Sequence, residues 1–348
     1  QNRWKKRGMT MTSCRFGIGF PKIFMMQGAA LVHIYLDGSI LITTGGVEMG
    51  QGLNTKLIQV ASRALGAPME KIFINETSTQ TVPNAMGTGG STGADICGPA
   101  VIDACTKLNE RLAPFKDKIP DGNWERWVLA AYFERVQLSV TGFYKAKKDE
   151  DFDLKEKTGQ PCDYFTYGVA CSEVEIDCLT GESQVTFQVN DHDLQGYGNT
   201  SLFLLVLQTD IVMDVGKSLN PTIDIGQIEG AFIQGLGMMT SEKVIIAEDG
   251  RMVNCSPLSY RIPNVSGIPR KFNVILLKNE NAVTHLYSSK GIGEPPLLLA
   301  TSVFMAIKEA IQEARKEIGL SGYFRLDCPA TVEQIRLACG DQLVRSRK

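Results

Sequence analysis

Apolar positions recur along this chain in two periods, and each change of period marks an element. Gly28 to Leu36 reads as a strand, Asp37-Gly38 as a hairpin turn and Ser39 to Thr44 as the return strand. From Leu53 to Leu65 the spacing becomes helical, with Leu53, Leu57, Val60, Ala61 and Leu65 on one face. Ile72 to Ile74 predicts a short strand and Ala94 to Leu112 a helix. Pro114 to Gly122 is charged and proline-bearing and predicts a linker. Trp124 to Arg135 predicts a helix anchored by Trp124, Trp127 and Tyr132. Tyr167 to Ile176 alternates as a strand and is closed by the turn Thr180-Gly181. Thr209 to Val215 predicts a further strand. Ile225 to Met238, Leu297 to Ile318 and Thr331 to Cys339 predict helices. Strands and helices mix in no strict βαβ order, which predicts an α+β fold of mixed sheets with packed helices.

Grouped by continuity, these elements suggest a first lobe over 1–112, a linker, helix and strand over 113–181, and a second lobe over 209–348. Residues 182–208 do not fit, since 27 residues stand where a hairpin-like connection needs only a few. They end in the apolar run Ser201 to Gln208. An extra strand is the plain reading. The sharper one is a translated intron: Ser, Phe, Leu and Val all have pyrimidine-rich codons, Gln can be CAG at a 3′ junction, and Val189 can be GTN at a 5′ junction.

Composition narrows the function classes. The 348 residues suffice for a large core and two or three lobes. A net charge of −2 gives no general affinity for nucleic acid or membranes. The 9 cysteines form no CxxC pair and read as reduced thiols, which predicts a cytoplasmic protein. His33, His192 and His285 stand far apart, which argues against a histidine zinc site. Trp4-Lys5-Lys6-Arg7 reads as a solvated helix end. The opening at Gln1 suggests a piece of something longer.

Candidate chemistry lies in glycine-framed stretches. Gly45 to Gly52 ends a strand and starts a helix, where free N–H groups can hold an anion. Met49 and Gly50 offer backbone, and the Gln51 amide donates and accepts at once, which suits a flat heterocycle. A tight turn with no ligand is the alternative. Gly87 to Gly93 can form an anion-binding nest, with hydroxyls from Ser91 and Thr92, or can be a surface loop. Gln227, near the start of a helix, is a second amide of the same kind or a solvent-facing residue. Phe20, between Gly19 and Pro21, is a stacking platform or a core ring. Glu294 stands alone between Gly293 and Pro295-Pro296, rigidly presented. It can serve as a general base if burial tunes it, or it is simply solvated.

The order and texture of these stretches resemble the xanthine dehydrogenase/aldehyde oxidase family of molybdenum hydroxylases. The likeness rests on Gly45 to Gly52, Asn75 to Thr79 with Val82-Pro83-Asn84, Ala170 to Asp177, Ser218 to Pro221 through Gln234-Gly235, and Lys290 to Leu297. It covers nearly the whole chain outside 182–208. The resemblance implies the C-terminal half of the molybdopterin-binding region, with the molybdenum held by the cofactor dithiolene and no direct protein ligand. It implies that Met49, Gly50, Gln51 and Gln227 contact the cofactor, and that Gly89, Gly90, Ser91, Thr92 and Gly93 form the loop beside it. Phe20 would stack on the substrate. Glu294 would be the catalytic base, taking a proton while water supplies the oxygen added to an N-heterocycle, such as a purine, or to an aldehyde.

Two departures from the family pattern stand beside two agreements with it. Gly89-Gly90 replaces the usual alanine pair, and Pro21 stands where xanthine dehydrogenases usually carry a threonine. Pro295-Pro296 follows the xanthine dehydrogenase pattern, where aldehyde oxidases usually have Ser-Gly, and Asp210 to Gly216 leans the same way. The resemblance therefore favours xanthine dehydrogenase over aldehyde oxidase. It also implies [2Fe–2S] clusters and FAD in N-terminal parts of a longer enzyme, a homodimer, and no activity for this chain alone. The reading from another class is a non-catalytic truncated product on the same scaffold.

Overall fold

The computed structural model describes residues 3–75, 77–147, 150–180, 205–257, 259–278 and 286–345. In chain order its main elements are β1 (Lys5–Ile18), β2 (Gln27–Ile34), β3 (Ile40–Thr44), α1 (Leu53–Leu65), β4 (Ile72–Ile74), α2 (Gly93–Lys118), α3 (Trp124–Phe133), β5 (Ser139–Lys145), β6 (Tyr164–Asp177), β7 (Leu205–Asp214), α4 (Pro221–Thr240), β8 (Lys271–Leu277), α5 (Thr301–Glu317) and α6 (Val332–Cys339). Among the described residues they build two four-stranded sheets, ordered β4-β3-β2-β5 and β1-β6-β7-β8. Each sheet mixes parallel and antiparallel neighbours: β3 runs parallel to β4 and β7 parallel to β8, while the other pairs are antiparallel. This is the α+β architecture that the element order predicts.

Each sheet has its own core. In the first lobe α1 and α2 lie on the sheet, and Leu57, Val60, Leu108 and Leu112 pack with Val32, Ile40 and Ile42. In the second lobe α4 and α5 cover the other sheet, where Phe232, Val303 and Ile307 pack with Ala170, Ile211 and Met213. Exclusion of this apolar surface from water is the main term stabilising both.

Sheet membership groups the chain differently from the division into 1–112, 113–181 and 209–348. β1 pairs along its whole length with β6, from Lys5 opposite Asp177 to Ile18 opposite Tyr164. The basic cluster read as a helix end is thus the start of a strand. Its charges meet partners across the ladder, with Arg7 Nε donating to Glu175 Oε2 at 2.8 Å. β5 returns to the first lobe beside β2. The expected linker at Pro114 is also different, because α2 continues through that proline to Lys118. Buried Phe115 anchors the last turn, and Lys116 Nζ donates to Asn109 Oδ1 at 3.0 Å. Most of the segment 182–208 lies outside the described residues. Its last four residues begin β7, where Val206 is buried opposite Val174.

Candidate active site

The loop between β3 and α1 folds onto itself. Glu48 turns its carboxylate back over the start of α1: Oε1 accepts from Gly50 N at 2.9 Å and Gly52 N at 3.0 Å, and Oε2 from Asn54 N at 2.9 Å. The Gln51 amide closes the loop, accepting from Met49 N at 2.6 Å and donating to Val47 O at 2.8 Å. The amides expected to be free for an anion are therefore engaged by the chain's own acid, which takes the favourable place at a helix N-terminus.

The second loop is arranged oppositely. Gly90 and Ser91 take positive φ of 61° and 56°, a conformation that costs energy at a serine. Thr92, buried, donates from Oγ1 to Gly89 O at 2.9 Å and leads into α2. The amides of Gly89 and Ser91 have no partner among the described residues. A Cβ on Gly89 would meet no atom within 4 Å, so that backbone faces open space.

The third part is the segment 286–300. Lys290 is pinned by Asp214 Oδ2 at 2.7 Å and Phe165 O at 3.0 Å. Gly291 presses against the second loop so closely that a Cβ would stand 2.6 Å from Ser91 O. The Glu294 N–H donates to Ser91 Oγ at 2.9 Å. Pro295 and Pro296 then open a short 3-10 helix, Pro295–Ala300, that runs into α5. This helix lies on α4 at Gly235, where a Cβ would come within 2.2 Å of Leu297 O.

These parts enclose one cavity of about 260 Å³ between the lobes. Met49, Gln51, Gly89, Ser91, Gly93, Gln227 and Glu294 line it, joined by Lys56, Asp95 and Lys290. Gly50, Gly90 and Thr92 are not part of that lining. Phe20 is set back as well, its ring lying behind Gly90, with Met26 and Ile96 beside it. Gln227, half-buried on α4, has no hydrogen-bond partner among the described residues. Glu294 is exposed, and no group among the described residues bonds its carboxylate. The burial invoked for a general base is thus not supplied by the described residues.

The charged groups at the wall are matched across the lobes. Lys56 of α1 meets Asp224 of α4 at 2.7 Å, with both side chains largely buried. Asp95, only 6% exposed, accepts from Tyr164 Oη at 2.5 Å. Its carboxyl is pushed up to about 7, chiefly by burial and further by the charge of Asp163, against the opposing Tyr164 hydrogen bond and Lys56 charge. The Tyr164 hydroxyl is pushed well above its usual range, first by burial and then by Asp95. Sequence reasoning does not single out Lys56 or Asp95. The available signal was a charged residue set among the apolar positions of a helix beside each glycine-framed loop.

The open amides of Gly89 and Ser91, the unengaged Gln227 amide and the bare backbone at Gly89 fit a ligand rich in acceptors and ring nitrogens. The closed bonds of Gln51 leave it as wall in this arrangement.

Residues 1–195 and 201–269 match a family described as molybdopterin cofactor-binding domain. Xanthine dehydrogenase/oxidase of Mus musculus is 51% identical over 345 residues, covering 98% of this chain and 24% of the relative. Xanthine dehydrogenase of Drosophila pseudoobscura pseudoobscura is 48% identical over 342 residues, and aldehyde oxidase 1 of Cavia porcellus 46% over 342, each with 98% and 24% coverage. The chain spans about a quarter of the length of these curated relatives. Aldehyde oxidoreductase from Desulfovibrio gigas superposes with a TM-score of 0.75 over 97% of this chain and 33% of that one, at 23% identity, which speaks to the fold.

Proposed function

The chain belongs to the molybdopterin cofactor-binding domain family, and we propose that it forms one side of the cofactor and substrate pocket of a molybdenum hydroxylase. The reaction is oxidation of an N-heterocycle, a purine such as hypoxanthine or xanthine, with water as the oxygen source. The observation that carries this reading is the convergence of Met49, Gln51, Gly89, Ser91, Gln227 and Glu294, from four separated stretches of sequence, on one cavity.

In this reading the Gly89 and Ser91 amides donate to the cofactor, Gln227 pairs with it through its amide, and Met49, Gly50, Gln51, Gly90, Thr92 and Gly93 shape its bed. When bound, the cofactor supplies the two-electron redox chemistry. Glu294 receives a proton at its carboxylate. Its fixed backbone holds that carboxylate at the cavity mouth, and the rest of the polypeptide supplies the cover over it. Phe20, behind Gly90, stacks on the substrate ring. The remainder of a longer chain supplies the [2Fe–2S] clusters, FAD and the opposite pocket wall. The assembly is a cytoplasmic homodimer that engages neither nucleic acid nor membranes. Aldehyde oxidation is the second reading, favoured by Pro21, which offers no hydroxyl to a purine.

The test is Glu294→Gln in the complete protein, with molybdenum content measured alongside turnover of xanthine and of an aldehyde. The expected outcome is unchanged metal and a loss of about 10²- to 10⁴-fold in kcat. Undiminished turnover would overturn the assignment of Glu294. A higher kcat/KM for the aldehyde would replace the purine reading.

A further inference from the structure

Two hydrogen-bonded routes fix the Glu294 segment, and both begin in the same unit. One is direct, from the Glu294 N–H to Ser91 Oγ at 2.9 Å. The other runs through a buried side chain. Gly291 N–H donates to Tyr164 Oη at 2.7 Å, and that hydroxyl donates to Asp95 Oδ2 at 2.5 Å. Because the phenol oxygen accepts from a backbone amide, its single proton is directed to Asp95. Asp95 lies one turn into α2, immediately after the loop that carries Ser91. The next peptide group, between Gly291 and Ile292, is held too, since Thr166 Oγ1 donates to Gly291 O at 2.9 Å. Gly291 has no side chain and approaches Ser91 closely, so a small shift there displaces Glu294.

We propose that Asp95 is a positioning residue for Glu294, holding the 291–294 segment in place through the Tyr164 hydroxyl. Asp95 touches no reacting atom in this role. It keeps Tyr164 oriented so that the phenol oxygen faces the Gly291 amide, and the Ser91 loop and the start of α2 thereby grip the acid's segment at two points. The proposal rests on the general-base reading of Glu294 for its catalytic consequence, but not for its structural one.

The experiment measures amide hydrogen exchange at Gly291 and Glu294 in the purified protein, and kcat and KM in the complete enzyme. Asp95→Leu removes the acceptor at similar volume. Asp95→Asn keeps an acceptor oxygen and serves as the conservative rescue. Asp95→Leu is expected to speed exchange at Gly291 and Glu294 at least tenfold, leaving Val303 and Ile307 of α5 within threefold. It should lower kcat at least tenfold with KM within twofold. Asp95→Asn should restore both to within threefold of the parent. Should the leucine variant fail to fold, Tyr164→Phe provides the same readouts and the same expectation at Glu294. Exchange at Gly291 and Glu294 within threefold of the parent in the leucine or phenylalanine variant would overturn the proposal, as would an asparagine variant no better than leucine. An enzyme whose turnover ignores Glu294 leaves the exchange result to stand by itself, so failure of the function and failure of the relay are told apart.

Discussion

The two glycine-framed loops look alike in sequence and are used in opposite ways. Residues 45–52 spend polar groups on themselves and on the start of α1: Glu48 takes three amides and Gln51 a fourth, while the Val47 N–H reaches Thr88 Oγ1 at 2.9 Å. Residues 89–93 leave amides open and send Ser91 across to Glu294. The difference lies in an acid of suitable length. Glu48 precedes the amides that it caps by two, four and six residues, whereas 87–93 contains no carboxylate to turn inward. A glycine-rich loop is therefore available to a ligand only where no neighbouring acid has already filled it.

The contrast can be tested by disturbing each side in turn. The largest effect is expected where the first loop's helix meets the other lobe. Lys56→Met leaves Asp224 buried without its cation and should cost about 3–5 kcal/mol in urea unfolding. A cost below 1 kcal/mol would mean that α1 is not a strut between the lobes. Next is the pH response of the second loop's unit. The Asp95 carboxyl, at about 7 when folded, binds its proton more tightly than in the unfolded chain. Its contribution is complete below pH ~4 and is lost as pH rises towards ~7, a decline of about 3–4 kcal/mol. Asp95→Asn should flatten the stability curve across that window, and a parallel curve for the two proteins would contradict the assignment.

Gly291→Ala pushes a methyl group at Ser91 and should cost about 1–3 kcal/mol, with faster amide exchange at Glu294. An alanine variant as stable as the parent would show that the contact between the two segments yields easily. The smallest effect is expected for Glu48→Ala, about 1–2 kcal/mol from the lost cap, with exchange at Gly291 and Glu294 unchanged. If it loosened Glu294 as well, the bond from Val47 N–H to Thr88 Oγ1 would be carrying the disturbance from one loop to the other.

Much of this arrangement was legible in the residues. α1 stands at Leu53–Leu65 as its apolar face predicts, and the β2–β3 hairpin follows its Asp37-Gly38 turn. β1 was not legible, because Lys5, Arg7, Met9 and Met11 on its exposed face break the apolar alternation. Only pairing with β6, far off in sequence, makes it a strand. At the site, glycine and proline framing marked Glu294 and the 89–93 loop. Asp95 was hidden because its meaning comes from Tyr164, 69 residues away, which periodicity cannot see. The closure of the first loop by Glu48 was likewise a matter of three-dimensional reach.

The threading of the chain has a consequence for its synthesis. Among the described strands β1 is translated before the others, yet its ladder partner β6 follows only after every strand of the first lobe. A ribosome-bound chain can therefore complete the sheet β4-β3-β2-β5 while β1, 14 residues long and exposing Met9 and Met11 in the folded protein, still waits for β6. Slow translation between β5 and β6 would lengthen that wait and leave the nascent chain most open to aggregation there.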